Sequence, residues 1–192
     1  MTTIRPFRPQ DLLQMNLTNL DSLTENYNID FYLHYLSKWP SLFTVAEDHQ
    51  GNIIGYSIGV MGKVEEDPPL RQFTEHYLPW HGHVTALTVA PQYRRMGLAQ
   101  SLTKALERGC EEEKAWFVDL FVREGNDTAV SLYEGMGVFR RVADYYSDDP
   151  TGRKAGEDAF DMRKPLSRDK KLKHIRKNGR NFKIEPEDLY HG

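Results

Sequence analysis

Apolar positions recur with two periods along this chain. Phe31, Tyr35 and Trp39 have helical spacing, and Ala99, Leu102, Leu106 and Cys110 repeat it on one face of a longer helix. Asp30 is placed to cap the first of these helices and Pro40 to stop it. Leu42–Ala46 and Ile53–Val60 read as strands joined through HQGN, a hairpin signal. His83–Ala90 is rich in β-formers, and WFVDLFV over 116–122 is a near-continuous apolar run of the kind a buried strand shows. At the start, Ile4 and Phe7 flank an extended stretch punctuated by Pro6 and Pro9. Gln10 or Asp11 then opens a short helix with Leu12, Leu13 and Met15, and a polar, turn-rich segment follows.

Later, Asn126 or Asp127 caps a helix through Ala129, Val130, Tyr133 and Met136 that Gly137 ends. Val138–Tyr146 resumes strand character, and DAFDMRK over 158–164 is the last expected strand. From Pro165 the periodicity fades. Strand–helix–strand–helix–strand after a meander predicts an α/β fold of mixed α+β type, with crossover helices on the sheet.

The segment with the clearest chemistry is Val84–Ala99. A strand ends at Pro91, a short loop carries Arg94, Arg95 and Gly97, and a helix begins. The first turn of a helix has N–H groups with no intrahelical acceptor, and the helix dipole adds positive potential there. Glycine permits close approach of a ligand, a small residue at 99 keeps the helix start open, and two arginines supply charge. A lone R-x-x-G-x-A is a weak signal. With a strand before it and an amphipathic helix after, it predicts a phosphate cradle.

Charge changes the picture at the end of the chain. The 192 residues hold 25 Lys/Arg and 28 Asp/Glu, a net of -3. Residues 163–192 hold ten basic and four acidic residues, a net of +6, which leaves -9 for residues 1–162. An acidic body with a basic extension is therefore expected; the expected domain bounds are 2–163 and 164–192. No stretch approaches the ~20 apolar residues of a membrane span, and the N-terminus lacks an apolar signal core, so a cytoplasmic protein is expected. The one cysteine, Cys110, allows no internal disulfide, and its place on an apolar helix face makes it a packing residue. The seven histidines show no metal-ligand spacing, so no metal is expected.

RRMGLA resembles the pyrophosphate signature of the Gcn5-related N-acetyltransferase (GNAT) family, in the family's context HVTALTVAPQYRR. LFVREGNDTAVSLYEGMGV is similar to that family's following strand–helix unit. Four further blocks, NLTNLDSLTENYNIDFYLHYLSKWP, WHGHVTALTVAP, VDLFVREGN and DYYSDDPTGRKAGEDAFDMRKPLSRD, resemble the catalytic subunits of the N-terminal acetyltransferase B (NatB) complex. The resemblance implies the GNAT acyl-CoA N-acyltransferase fold, a central, mostly antiparallel mixed sheet flanked by helices. It implies acetyl transfer from acetyl-CoA to protein α-amines, on termini beginning Met-Asp, Met-Glu, Met-Asn or Met-Gln. It also implies a large helical-repeat auxiliary subunit, nascent polypeptide N-termini as substrates and ribosome association through the auxiliary subunit, with no role for membrane or DNA.

Residue by residue, the resemblance places Leu87, Thr88 and Val89 along the pantetheine arm, and Arg94, Arg95, Met96, Gly97, Leu98 and Ala99 around the pyrophosphate. It places Asn126 on the pantetheine and Tyr133 near the CoA sulfur, as a donor to the leaving thiolate. On the peptide side it points to Glu25, Tyr27, His83, Thr85, Tyr145 and Tyr146, with Glu25 or His83 relaying the amine's proton. Period two puts His83 and Thr85 on one strand face, where both can donate to Asp, Glu, Asn or Gln. Residues 62–80 form a connection longer than the family's usual one, and position 121 is Phe where some relatives carry a His base. Two other readings stay open: an acetyltransferase acting on lysine side chains or small amines, and an RNA-binding module using the basic LSRDKKLKHIRKNGR.

Overall fold

The computed structural model describes residues 2–21, 24–62, 79–133, 135–146 and 156–189. Most of the 62–80 connection lies outside them. Two compact units divide the chain: residues 1–61 with 82–113, and residues 62–81 with 114–192.

In the first unit, four strands form an antiparallel meander: β1 (Thr3–Pro6), β2 (Phe43–Glu47), β3 (Ile53–Met61) and β4 (Gly82–Val89). The β2–β3 turn is closed by Asp48, whose carboxylate accepts the N–H groups of Gln50 and Asn52 at 2.8 and 2.9 Å. The N-terminal helical region is a 3-10 turn over Pro9–Gln14, the short α1 (Asn16–Asn19) and α2 (Ile29–Lys38). Asn28, not Asp30, caps α2: its side-chain oxygen accepts from Phe31 N at 2.8 Å, because Asn28 is the residue in extended conformation at the helix entry. One sheet face packs Phe7, Tyr32, Phe43, Tyr56 and Ile58 with Ala86. Against the other lies α3 (Leu98–Glu112), whose Leu98 and Leu102 pack with Ala46, Ile54 and Val89. Cys110 is buried on this helix, as a packing residue should be.

The second unit holds β5 (Phe117–Arg123), α4 (Asp127–Leu132), β6 (Gly137–Val142), β7 (Ala159–Pro165) and β8 (Lys183–Ile184). β7 pairs antiparallel with both β5 and β6, and β8 runs parallel to β6. α4 stops at Leu132, short of Met136. β6 ends at Val142, so Tyr145 and Tyr146 lie in a turn after the strand, with Asp144 at φ 43°. Asp161 is buried at the centre of this unit and accepts from Arg140 at 2.8 Å and from Arg163 at 3.0 and 2.8 Å. The guanidinium of Arg163 lies 3.7 Å over Phe139, so these buried charges are paired and covered.

The basic segment after residue 163 is folded into this unit rather than extending from it. Asp169 is buried and caps the following turn through the N–H groups of Lys173 and His174, at 2.9 and 3.0 Å. Arg168 lies 4.6 Å over Trp116, and Arg176 lies 3.5 Å over Phe182. Gly179 is buried against β6: a β-carbon there would sit 2.5 Å from the Val138 carbonyl carbon and closer still to its oxygen. β8 is then held by Arg141 N–H to Phe182 O at 2.8 Å and Ala143 N–H to Ile184 O at 2.9 Å. The periodicity fades here because arginine–aromatic contacts and backbone caps, not an apolar stripe, hold the segment.

Candidate active site

In the first unit, β4 carries Leu87 and Val89 on the α3 side, while Ala86 packs on the α2 side. The strand is not regular. Ile58 pairs with Ala86 and Gly59 with Val84, so Thr85 is the extra residue of a bulge. Period two therefore does not carry across it. His83 pairs with Val60, which shares its face with Ile58, so His83 faces the same side as Ala86 and Thr88. Thr85 does not follow from that alternation. Its hydroxyl is buried with no hydrogen-bond partner among the described residues.

After Val89 the chain makes a 3-10 turn, Pro91–Tyr93, and reverses through two left-handed residues, Arg95 (φ 66°) and Gly97 (φ 78°). Gly97 is the N-cap of α3, and no atom would crowd a β-carbon there, so its requirement is conformational and the space above it is open. Leu98 is buried and anchors the first turn, while Arg95 and Met96 are exposed. The N–H groups of Leu98, Ala99 and Gln100 head a 15-residue helix, and Ser101 N is the first to donate back, to Gly97 O at 3.1 Å. Arg94 has a different role from Arg95. Its Nε donates to Val89 O at 3.0 Å, and its Nη2 forms an ion pair with Asp21.

The polar segment before α2 brings Glu25 and Tyr27 together: the Tyr27 hydroxyl donates to Glu25 Oε2 at 3.1 Å. Tyr27 stacks on Phe31 with ring centres 4.0 Å apart. Burial, with the Glu25 carboxylate second, pushes the Tyr27 phenol well above its ordinary value, so it stays a donor. Thr24 reaches β4, with its hydroxyl 2.7 Å from that of Thr88.

In the second unit, Asn126 and Tyr133 bracket α4. Asn126 is its N-cap, accepting from Ala129 N at 3.1 Å, and Tyr133 is its C-cap, donating its N–H to Ala129 O at 3.1 Å. Burial pushes the Tyr133 phenol far above its usual range, so it is protonated at neutral pH. Tyr145 stacks on Phe121 at 4.5 Å and meets Tyr146 edge-on at 5.0 Å. The Tyr146 hydroxyl donates to Phe121 O at 3.2 Å, and Arg123 covers its ring at 4.0 Å. Phe121 is a wall for these tyrosines. Among the described residues, no three His, Cys, Asp or Glu side chains are grouped to hold a metal, and no helix is long and apolar enough to cross a membrane.

Residues 10–138 match the family model described as the acetyltransferase (GNAT) family. The NatB catalytic subunit naa20 of Schizosaccharomyces pombe is 49% identical over 98% of this chain and 99% of its own. The chain belongs to the GNAT acetyltransferases, among the NatB catalytic subunits. It is thus an N-terminal acetyltransferase. The crystal structure of Chaetomium thermophilum Naa20 in complex with a bisubstrate analogue superposes with a TM-score of 0.85 at 50% identity, covering 98% of this chain and 100% of that one. The NatB complex bound to CoA and MES matches at 40% identity and a TM-score of 0.71, covering 85% of this chain and 99% of that chain.

This NatB-type chain carries two anchoring residues that sequence reading missed, Asp21 and Thr24. Their partners lie 73 and 64 residues away, a separation at which no local pattern marks a pairing.

Proposed function

We propose that this chain transfers acetyl from acetyl-CoA to the α-amine of proteins beginning Met-Asp, Met-Glu, Met-Asn or Met-Gln, by direct attack in a ternary complex. The observation that carries the reading is the turn from β4 into α3. Two left-handed residues bring a long helix's free N–H groups to open space beside the exposed Arg95, an arrangement made for a diphosphate. Likeness to Naa20 in complex with a bisubstrate analogue and to the NatB complex bound to CoA supports the same assignment. Thr88 and its neighbours Leu87 and Val89 are assigned to the pantetheine, together with Asn126. Arg95, Met96, Gly97, Leu98 and Ala99 are assigned to the diphosphate, with Arg94 bracing the loop.

An α-amine titrates near ~8, so a useful neutral fraction exists at cellular pH. That amine attacks the thioester carbonyl, the C–N bond forms, and the C–S bond breaks. Tyr133, protonated, is assigned to donate to the departing thiolate. Glu25 takes the amine's proton through water, with His83 as the second candidate. His83, Thr85, Tyr27, Tyr145 and Tyr146 are assigned to the peptide: His83 and the unpartnered hydroxyl of Thr85 supply the hydrogen bonds that Asp, Glu, Asn and Gln accept in common, and Tyr145 and Tyr146 wall the groove.

The complex would include a helical-repeat auxiliary subunit that brings the enzyme to ribosomes in the cytoplasm, as the resemblance implies. The chain purified with that subunit, given acetyl-CoA and peptides beginning Met-Asp, Met-Glu, Met-Asn, Ser-Ala or Met-Leu, decides the specificity. Turnover on the first three is expected. Turnover confined to Ser-Ala, Met-Leu or internal lysine would refute it, and inactivity with salt-sensitive RNA binding would favour the module reading.

A further inference from the structure

We infer that Asp21 and Thr24 are positioning residues that latch the peptide-side loop carrying Glu25 and Tyr27 to the cofactor-side strand and loop. The inference rests on the proposed function for what the loop does, and on geometry alone for the latch itself. Both ties lie within the first unit. The Asp21 carboxylate pairs with Arg94, and only 9% of the Asp21 side chain is exposed. A carboxylate so enclosed is costly without its cation. Arg94 is not free to swing away, because its Nε is held by Val89 O at 3.0 Å. The guanidinium thus bridges the end of β4 to the residue that opens the loop. Three residues on, Thr24 Oγ1 meets Thr88 Oγ1 at 2.7 Å, the second tie to β4.

Among the described residues, the loop's other hydrogen bonds run to the N-terminal helices. Asn26 Nδ2 donates to Asn19 O at 2.8 Å, Tyr27 N donates to the Tyr32 hydroxyl at 3.4 Å, and the Tyr27 ring stacks on Phe31. These set Glu25 and Tyr27 against α1 and α2. Among the described residues, the Asp21 and Thr24 side chains are the ones that bond the loop to Arg94 and Thr88. Neither Asp21 nor Thr24 needs to touch substrate. Their effect passes through Glu25 and Tyr27, so it belongs in peptide recognition rather than in cofactor binding.

The test compares Asp21→Asn, Thr24→Val and Thr24→Ser in the complex with the auxiliary subunit. Thr24→Val keeps the shape and removes the hydroxyl, and Thr24→Ser keeps the hydroxyl. With a Met-Asp peptide, Asp21→Asn and Thr24→Val should raise the peptide KM about five- to tenfold, the range of a lost hydrogen bond. The KM for acetyl-CoA should stay within about twofold, and Thr24→Ser should match the parent. Amide hydrogen exchange over residues 24–28 should speed up about tenfold in the first two variants, with α3 unchanged. Unchanged peptide KM and exchange in both, a Thr24→Ser as impaired as Thr24→Val, or equal loss in both substrates' KM would overturn the inference. Should the parent turn over no peptide at all, the proposed function fails, and the exchange measurement still decides the latch.

Discussion

Gly179→Ala tests the docking of the basic segment most directly. The added β-carbon would lie 2.5 Å from the Val138 carbonyl carbon and 2.7 Å from that of Phe139. Ordinary carbon contacts are ~3.5–4.0 Å. The obstacle is backbone of a paired strand, so the segment must move rather than β6. Moving it breaks the two backbone hydrogen bonds that hold β8, each contributing about 0.5–1.5 kcal/mol net. It also unpacks Ile184, whose burial contributes about 1.5–3 kcal/mol. Regained chain entropy offsets part of this loss, leaving an expected destabilisation of about 3 kcal/mol. For a chain of this size that lowers Tm by roughly 6–12 °C. Differential scanning fluorimetry reads the shift, and limited trypsin digestion with mass mapping should show faster cleavage at Lys170, Lys171, Lys173 and Lys177. A Tm within about 1 °C of the parent, with unchanged cleavage, would show that residues 166–184 do not pack as described.

Four further outcomes are expected. Tyr133→Phe should lower kcat by about a hundredfold or more while acetyl-CoA affinity stays within about twofold, if the phenol has the proposed role at the leaving group. Since burial raises that phenol's pKa, kcat/KM should climb with pH as the α-amine deprotonates near ~8 and show no decline from this tyrosine below about pH 10. Gly97→Ala forces a side chain to φ 78° in open space, at about 1–2 kcal/mol, so acetyl-CoA should bind roughly five- to thirtyfold more weakly by titration calorimetry. Asp11 is raised by burial, but the Arg5 guanidinium and the Arg8 N–H outweigh this and hold it below its usual range. The stability this confers is full above about pH 4 and is lost as pH falls through the folded value, so the Tm gap between the parent and Arg5→Gln should close below about pH 4.

The helices and strands were legible where periodicity carried them. The α3 face is written in Leu102, Leu106 and Cys110, and β5 in its apolar run. Capping was legible only by residue type: Asn28 and Asp30 are both good caps, and backbone conformation chose the first. The bulge at Thr85 left no trace, because it depends on the register of β3 against β4, and that register is a pairing across the sheet. The turn before α3 was legible as a loop before a helix, yet the unlike surroundings of Arg94 and Arg95 were not, since Asp21 supplies the difference from 73 residues away. The basic segment read as an extension because its packing relies on Arg168, Arg176 and Gly179, residue types that polarity scales count as surface.

The division of contacts also orders events during synthesis. Every segment of the first unit is made once residue 113 has left the ribosome, so its sheet and α3 can close early. The second unit cannot: β7 is the partner of both β5 and β6, and β8 completes the edge only at residues 183–184. At ~5–20 residues per second, the roughly 70 residues between these points take several seconds to emerge. Within that interval, β5 is complete at residue 123 and β7 only at residue 165, so for the roughly 2–8 s that these 42 residues take β5 lacks its antiparallel partner, and the nascent enzyme is itself a client for whatever shields unpaired edges.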